Sequence, residues 1–169
     1  MPTWINSDGL VVKLGTTEAT VGRAGQYAGL NGNQNVTEVA LNLIDVTSAT
    51  AGATILDYNT LIPKGALIER VEVETVTTVT GTNAVLNLGL ARSDTTTEID
   101  FDGLGTAAAL TQTAMNAKGT ILTYIKGTSN AGALIGTALA NNGILVADYD
   151  TAAFTAGRLN IRITWSVPL

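Results

Sequence analysis

The densest set of side chains capable of chemistry in this 169-residue chain is Glu98-Ile99-Asp100-Phe101-Asp102-Gly103. Oxygen ligands at alternate positions before a sharp-bend glycine follow the opening of an EF-hand calcium loop, which closes on a bidentate Glu at its twelfth position. Here that position is Ala109, and the preceding residues do not read as a helix. A looser calcium site made by Asp94, Glu98, Asp100 and Asp102 stays as the alternative to a solvated acidic loop, and the loop is the preferred reading.

The rest of the inventory points away from catalysis. The chain has no histidine, so it lacks the usual general base near neutral pH and the commonest metal ligand. It has no cysteine, which removes thiolate nucleophiles, thiolate metal sites and a disulfide framework, and fits folding in a reducing cytosol. Serine and cysteine triads are thereby excluded. A carboxylate-based glycosidase would need two carboxyls roughly 5 to 10 Å apart across a sugar cleft, usually flanked by aromatic platforms. Two Trp, four Tyr and two Phe offer few such platforms. No catalytic, cofactor-binding or metal residue is assigned, no cofactor is expected, and the chain reads as a non-enzyme.

Several weaker patterns have bland explanations. Gly22-Arg23-Ala24-Gly25-Gln26-Tyr27-Ala28-Gly29 lacks the Lys and Ser/Thr of a phosphate-binding loop and reads as a connection. Asn35-Val36-Thr37 spells a glycosylation site that matters only after export. Trp4, Tyr124, Tyr149 and Trp165 stand apart in strand contexts, where packing explains them better than sugar or base stacking. Arg158 and Arg162 share the polar face of the last strand, as interface anchors or as a solvated face.

Charge adds a further exclusion. Fourteen acids against nine bases give a net charge of -5, and the bases form no stripe along which a phosphate backbone could lie, so no direct nucleic-acid partner is expected. No apolar run approaches the length of a membrane span, and MPTWINSDG lacks the basic and apolar regions of a signal peptide, so neither membrane insertion nor secretory export is expected. Charged residues make up only 14% of the chain, well below the roughly 25% of an average soluble protein. A surface so poor in charge suits a subunit that meets other protein in an assembly.

The elements that position these residues are strands. Residues 1–35 contain one strand candidate, Leu10 to Leu14, and otherwise read as a polar arm that gains order against a neighbour or lies across its own sheet. From Val36 strand patterns recur: VTEVALNLID, ILDYNTLI, LIERVEVETV, NAVLNLGLAR, TILTYIK, ALIGTAL, ILVADY and GRLNIRITWSVPL. Pro63-Lys64-Gly65 is a turn in which Pro fixes one φ and Gly permits a positive one. In LIERVEVETV, Val71, Val73 and Thr75 face one way and Arg70, Glu72 and Glu74 the other, the period of a half-buried strand. Leu86, Leu88 and Leu90 then share a face after Gly81-Thr82-Asn83, which reads as an antiparallel hairpin between the two runs. Residues 93–103 read as an acidic loop, and 104–118 as a short helix from its Ala, Gln and Met. In the final run Leu159, Ile161, Ile163, Trp165 and Val167 alternate with polar residues, which predicts a central or well-paired strand.

About eight strands with almost no helix predict an all-β fold with two layers, since one open sheet would leave an apolar face wet. The expected architecture is a single-domain, jelly-roll-like β-sandwich over 36–169 with an extended N-terminal arm over 1–35. An immunoglobulin-like sandwich and a small barrel stay open.

The run Leu61-Ile62-Pro63-Lys64-Gly65-Ala66-Leu67-Ile68 leading into Val71-Glu72-Val73-Glu74, the passage into Asn87-Leu88-Gly89-Leu90-Ala91, and the closing Ala156-Gly157-Arg158-Leu159-Asn160-Ile161-Arg162-Ile163 resemble small virion proteins of tailed bacteriophages, especially capsid decoration (cement) proteins. The resemblance covers 36–169. It implies a non-enzymatic homotrimer on the capsid exterior, assembled in the host cytoplasm, whose partner is the major capsid protein and which staples capsid subunits against internal pressure. Two alternatives stay open: another virion component (head fibre, tail or baseplate) with a receptor- or glycan-binding role, and a cellular carbohydrate-binding sandwich.

Overall fold

The structure is a computed structural model that describes residues 34–167, apart from residues 52, 58, 59, 93, 95, 96, 107 and 108, together with the backbone of two short strands nearer the N-terminus. Those two, β1 (Thr3–Ile5) and β2 (Val11–Lys13), pair antiparallel as a sheet of their own. The remaining strands are β3 (Gln34–Asn42), β4 (Thr54–Ile55), β5 (Leu67–Thr80), β6 (Val85–Arg92), β7 (Glu98–Gly105), β8 (Ile121–Ile125), β9 (Gly143–Asp150) and β10 (Ala156–Ser166).

They form two four-stranded antiparallel sheets, β3-β10-β5-β8 and β4-β9-β6-β7. The pairings are nested: within the sandwich the first strand pairs with the last, the second with the seventh, the third with the sixth, and the fourth with the fifth. This is the wrapped order of a jelly roll, and it bears out the expected fold class.

The core lies between the sheets. β5 contributes Ile68, Val71, Val73 and Val79, and β10 contributes Leu159, Ile161, Ile163 and Trp165, all buried. Leu86, Leu88 and Leu90 of β6 face them with Leu145 and Ala147 of β9. Val71, Val73 and Thr75 are buried as their alternation predicts, and β10 is an interior strand, flanked by β3 and β5.

Four sequence expectations are corrected. β5 and β6 do not form a hairpin: they belong to opposite sheets, and Gly81 to Ala84 carries the chain across the sandwich, with Asn83 at φ 58°. Local alternation cannot distinguish a turn that returns in one sheet from one that crosses, because both leave the same face apolar. The acidic segment is not wholly a loop, since from Glu98 onward it is strand β7.

The predicted helix is also absent. Among the described residues the helical pieces are two 3-10 turns, Leu43–Asp45 and Ala49–Ala51. Residues 110–112 instead bond to the start of β6: Leu86 N donates to Leu110 O (2.9 Å) and Gln112 N to Ala84 O (2.9 Å). Leu110 and Met115 are fully buried there, so tertiary pairing overrides the modest helix propensity of Ala, Gln and Met. ALIGTAL is likewise not a strand. Successive turns, with Ile135 N bonded to Gly132 O and Thr137 N to Leu134 O, fold it so that Ile135 and Leu139 reach the core and touch the start of β5 only at isolated bridges.

Pro63-Lys64-Gly65 forms the expected turn, closed by Ala66 N on Pro63 O (3.1 Å), with Gly65 at φ 84°. Gly89 also demands glycine. The β6–β7 register slips there, from Leu88 opposite Gly105 to Leu90 opposite Asp100, and the slack in β7 folds over β6. A Cβ at Gly89 would lie 2.1 Å from Asp100 O and 2.3 Å from Phe101 C. Backbone there leaves no room for any side chain.

Candidate interaction faces

The sandwich offers two outward sheet faces, and the polar residues singled out in the sequence divide between them. On the β3-β10-β5-β8 face, cross-strand register brings Arg162 of β10 beside Glu38 of β3 and Glu72 of β5. Its guanidinium lies 3.3 Å from Glu38 and 3.7 Å from Glu72, and Glu72 also meets Arg70 at 3.7 Å. Asn160 donates to Glu38, and that bond lowers the Glu38 pKa; burial opposes it, and the charge and hydrogen bond of Arg162 lower it further. Nearer the strand ends Ser166 and Gln34 donate to Glu69. Arg162, Arg70 and Glu72 are therefore tied to one another by charge, while Arg158 is exposed and Glu74 makes no ion pair among the described residues.

The opposite face is acidic. β6 and β9 are buried on both sides, with Asn87, Gly89 and Ala91 turned away from the core beside Asp148, Val146 and Ile144. Asn87 Nδ2 donates to Asp148 (2.6 Å) and Asp150 (3.2 Å). Burial raises the Asp148 pKa, the Asn87 bond lowers it, and the negative charges of Asp150, Asp102 and Glu98 raise it further. Asp100 is pushed up to about 6, first by burial and then by its hydrogen bond and charge repulsion with Asp102. Asp100 thus holds its proton into mildly acidic pH.

The four residues of the looser calcium reading are not gathered as ligands. The Asp94 carboxylate accepts from Thr97 N (2.9 Å) and Thr97 Oγ1 (2.7 Å), and Glu98 accepts from Phe101 N. Among the described residues no group of three acids is placed to hold a metal ion.

The aromatic residues within the described part are packing elements. Trp165 and Tyr124 are buried, burial raises the Tyr124 hydroxyl to about 12, and Tyr149 packs against the core. Trp165 Nε1 donates to Thr37 Oγ1 (3.0 Å), so the threonine of the Asn35-Val36-Thr37 spelling anchors β10 to β3. The side chain of Trp4 and the glycine-rich stretch 22–29 lie outside the described residues.

Two features escape the sequence pattern. Asp148 and Asp150 join the acidic patch only because β9 pairs with β6, a contact between residues about sixty positions apart. The edge strand β8 turns Ile121, Thr123 and Ile125 outward and Leu122 and Tyr124 inward. Both faces of TILTYIK are rich in apolar residues, so alternation alone does not reveal which is wet.

No protein-family model matches this sequence, and no curated protein is similar to it in sequence. Its fold does have counterparts. A chain in the acidic stable capsid structure of the Helicobacter pylori bacteriophage KHP30 matches at a TM-score of 0.51 with 14% identity, over 80% of this chain and 89% of that one. A chain in the capsid of Ralstonia phage GP4 matches at 0.51 with 12% identity, over 87% and 92%. The jelly-roll sandwich of this protein is a fold that phage capsids contain.

Proposed function

We propose that this chain is a non-enzymatic structural protein of a tailed-phage virion, a decoration protein that binds between major capsid protein subunits on the capsid exterior and stabilises the head. The observation that carries the reading is the likeness to two phage capsid chains, which spans four-fifths or more of this chain and of each neighbour. The chemistry agrees with it. The chain has no histidine or cysteine, and several of its carboxylates are engaged with Asn87, Thr97, one another and neighbouring arginines. The outer face of the β3-β10-β5-β8 sheet carries fixed polar groups, as suits a subunit that docks rather than turns over a substrate.

In this reading residues 36–169 are the docking body, residues 1–35 are an arm that reaches a neighbouring subunit, and three copies associate. Capsids assembled without the chain provide the test. Full-length protein should bind them stoichiometrically, and removal of the arm should weaken attachment while the far-UV circular dichroism of the sandwich is retained. Attachment unchanged by removal of the arm would contradict the arm's role.

A further inference from the structure

Four strands lie at the edges of the two sheets, and three of them carry features that deter pairing with another chain. β4 is two residues long, β7 carries Glu98, Asp100 and Asp102, and β3 carries Glu38 at its middle. Short length and charge are the usual protections of an open edge. β8, Ile121-Leu122-Thr123-Tyr124-Ile125, has neither charge nor proline, and its outward Ile121 and Ile125 are 58% and 45% exposed.

Its backbone is open over a definite length. Thr75 N bonds to Thr120 O (2.8 Å), which fixes the antiparallel alternation so that Leu122 and Tyr124 bond to β5, while Ile121 and Thr123 direct their N–H and C=O groups away from it. Ile125 is capped by Thr128, whose hydroxyl donates to Ile125 O (2.7 Å) and accepts from Ile125 N (3.2 Å). Among the described residues the unpaired edge is thus Ile121 to Thr123, three residues long.

A matching element exists at the other end of the chain. β1 (Thr-Trp-Ile) and β2 (Val-Val-Lys) are three residues each and, among the described residues, pair with each other alone. An isolated two-stranded hairpin is marginal in water and needs a third strand or an apolar surface. The twenty residues from 14 to 33 that join β2 to β3 can span at most roughly 70 Å, far enough to reach an adjacent subunit.

We infer that the β1–β2 hairpin of one copy adds to the open β8 edge of the next copy, so that the contact runs head to tail and closes as a ring. A contact of this kind uses two different surfaces, and a three-fold rotation closes it without leaving a free edge. The inference rests on the trimer of the reading above and assigns the surfaces that hold it.

Because the chain has no cysteine, cross-linking is clean. Full-length V12C and full-length T123C, each with one thiol, are mixed, allowed to exchange and treated with a short bis-maleimide. A covalent heterodimer is expected, and much less product when T123C is replaced by T77C, a control at an exposed β5 position. In parallel, light scattering should give three chains for the native protein and for T77K, and one chain for I121K/I125K with its circular dichroism unchanged. A native trimer with no excess of the 12–123 product overturns the inference and leaves the trimer standing, as does a folded I121K/I125K that stays trimeric. A native monomer overturns both, and capsid attachment is measured independently of either.

Discussion

Gly89 is occupied by glycine because the β7 backbone crosses where a side chain would be, with Asp100 O at 2.1 Å from any Cβ. Gly89→Ala is expected to cost about 2–3 kcal/mol, toward the upper end of overpacking effects, read as a lower urea midpoint at an unchanged slope. The acidic face makes a second prediction at this scale. The folded Asp100 has a pKa of about 6 against an ordinary 3.8, so folding binds its proton more tightly than the unfolded chain does. The stabilisation is complete below about 3.8 and is lost as pH rises through about 6, and the raised Asp148 acts in the same direction. The melting temperature should therefore rise as pH falls from 7 toward 5, and Asp100→Asn should flatten that slope and raise stability at pH 7. An unchanged slope in the variant would mean that other groups carry the dependence. Neither residue was legible in the sequence: Gly89 looks like any strand glycine until β7 lies over it. Asp100 reads as solvated until β7 lies over Gly89 of β6, which half-buries it beside Asp102.

At the scale of elements, the strands with clean period-two alternation were readable because one face of each meets the core and the other does not. Leu159, Ile161, Ile163 and Trp165 of β10 follow this pattern, as do Val71 and Val73 of β5. Leu159→Ala should cost about 2–5 kcal/mol, as a large-to-small change in a packed core does, and calorimetry checks it. What the sequence could not tell is which strands lie in one sheet. The β5–β6 connection crosses the sandwich, and residues 110–112 gave up helix for pairing with Ala84 and Leu86, since both outcomes depend on partners remote in the chain. Charge on the outer face should matter less to folding. Arg162→Glu removes its pairings with Glu38 and Glu72, but these groups are partly solvated, so the expected loss is about 1 kcal/mol. A large fall in capsid attachment at that small folding cost would identify this face as the one that docks; attachment equal to the native protein would assign it to solvent.

Residues 34–167 form a jelly roll whose first strand lies beside its last, and β1 and β2 form a separate two-stranded sheet. That architecture was predictable from strand count and the scarcity of helix, because an apolar sheet face must be covered. The role was legible only through a resemblance to small virion proteins, because docking depends on surface shape and on partners that no single residue type announces. Likeness to phage capsid chains shows the fold, and the proposed role, holding other proteins together, is what remains to be tested. The most direct measurement is co-sedimentation of the full-length protein with capsids assembled without it, combined with calorimetry of the capsids. Saturable binding with an upward shift of the capsid melting transition is the predicted result. Capsids that neither retain the protein nor gain stability from it would contradict the account.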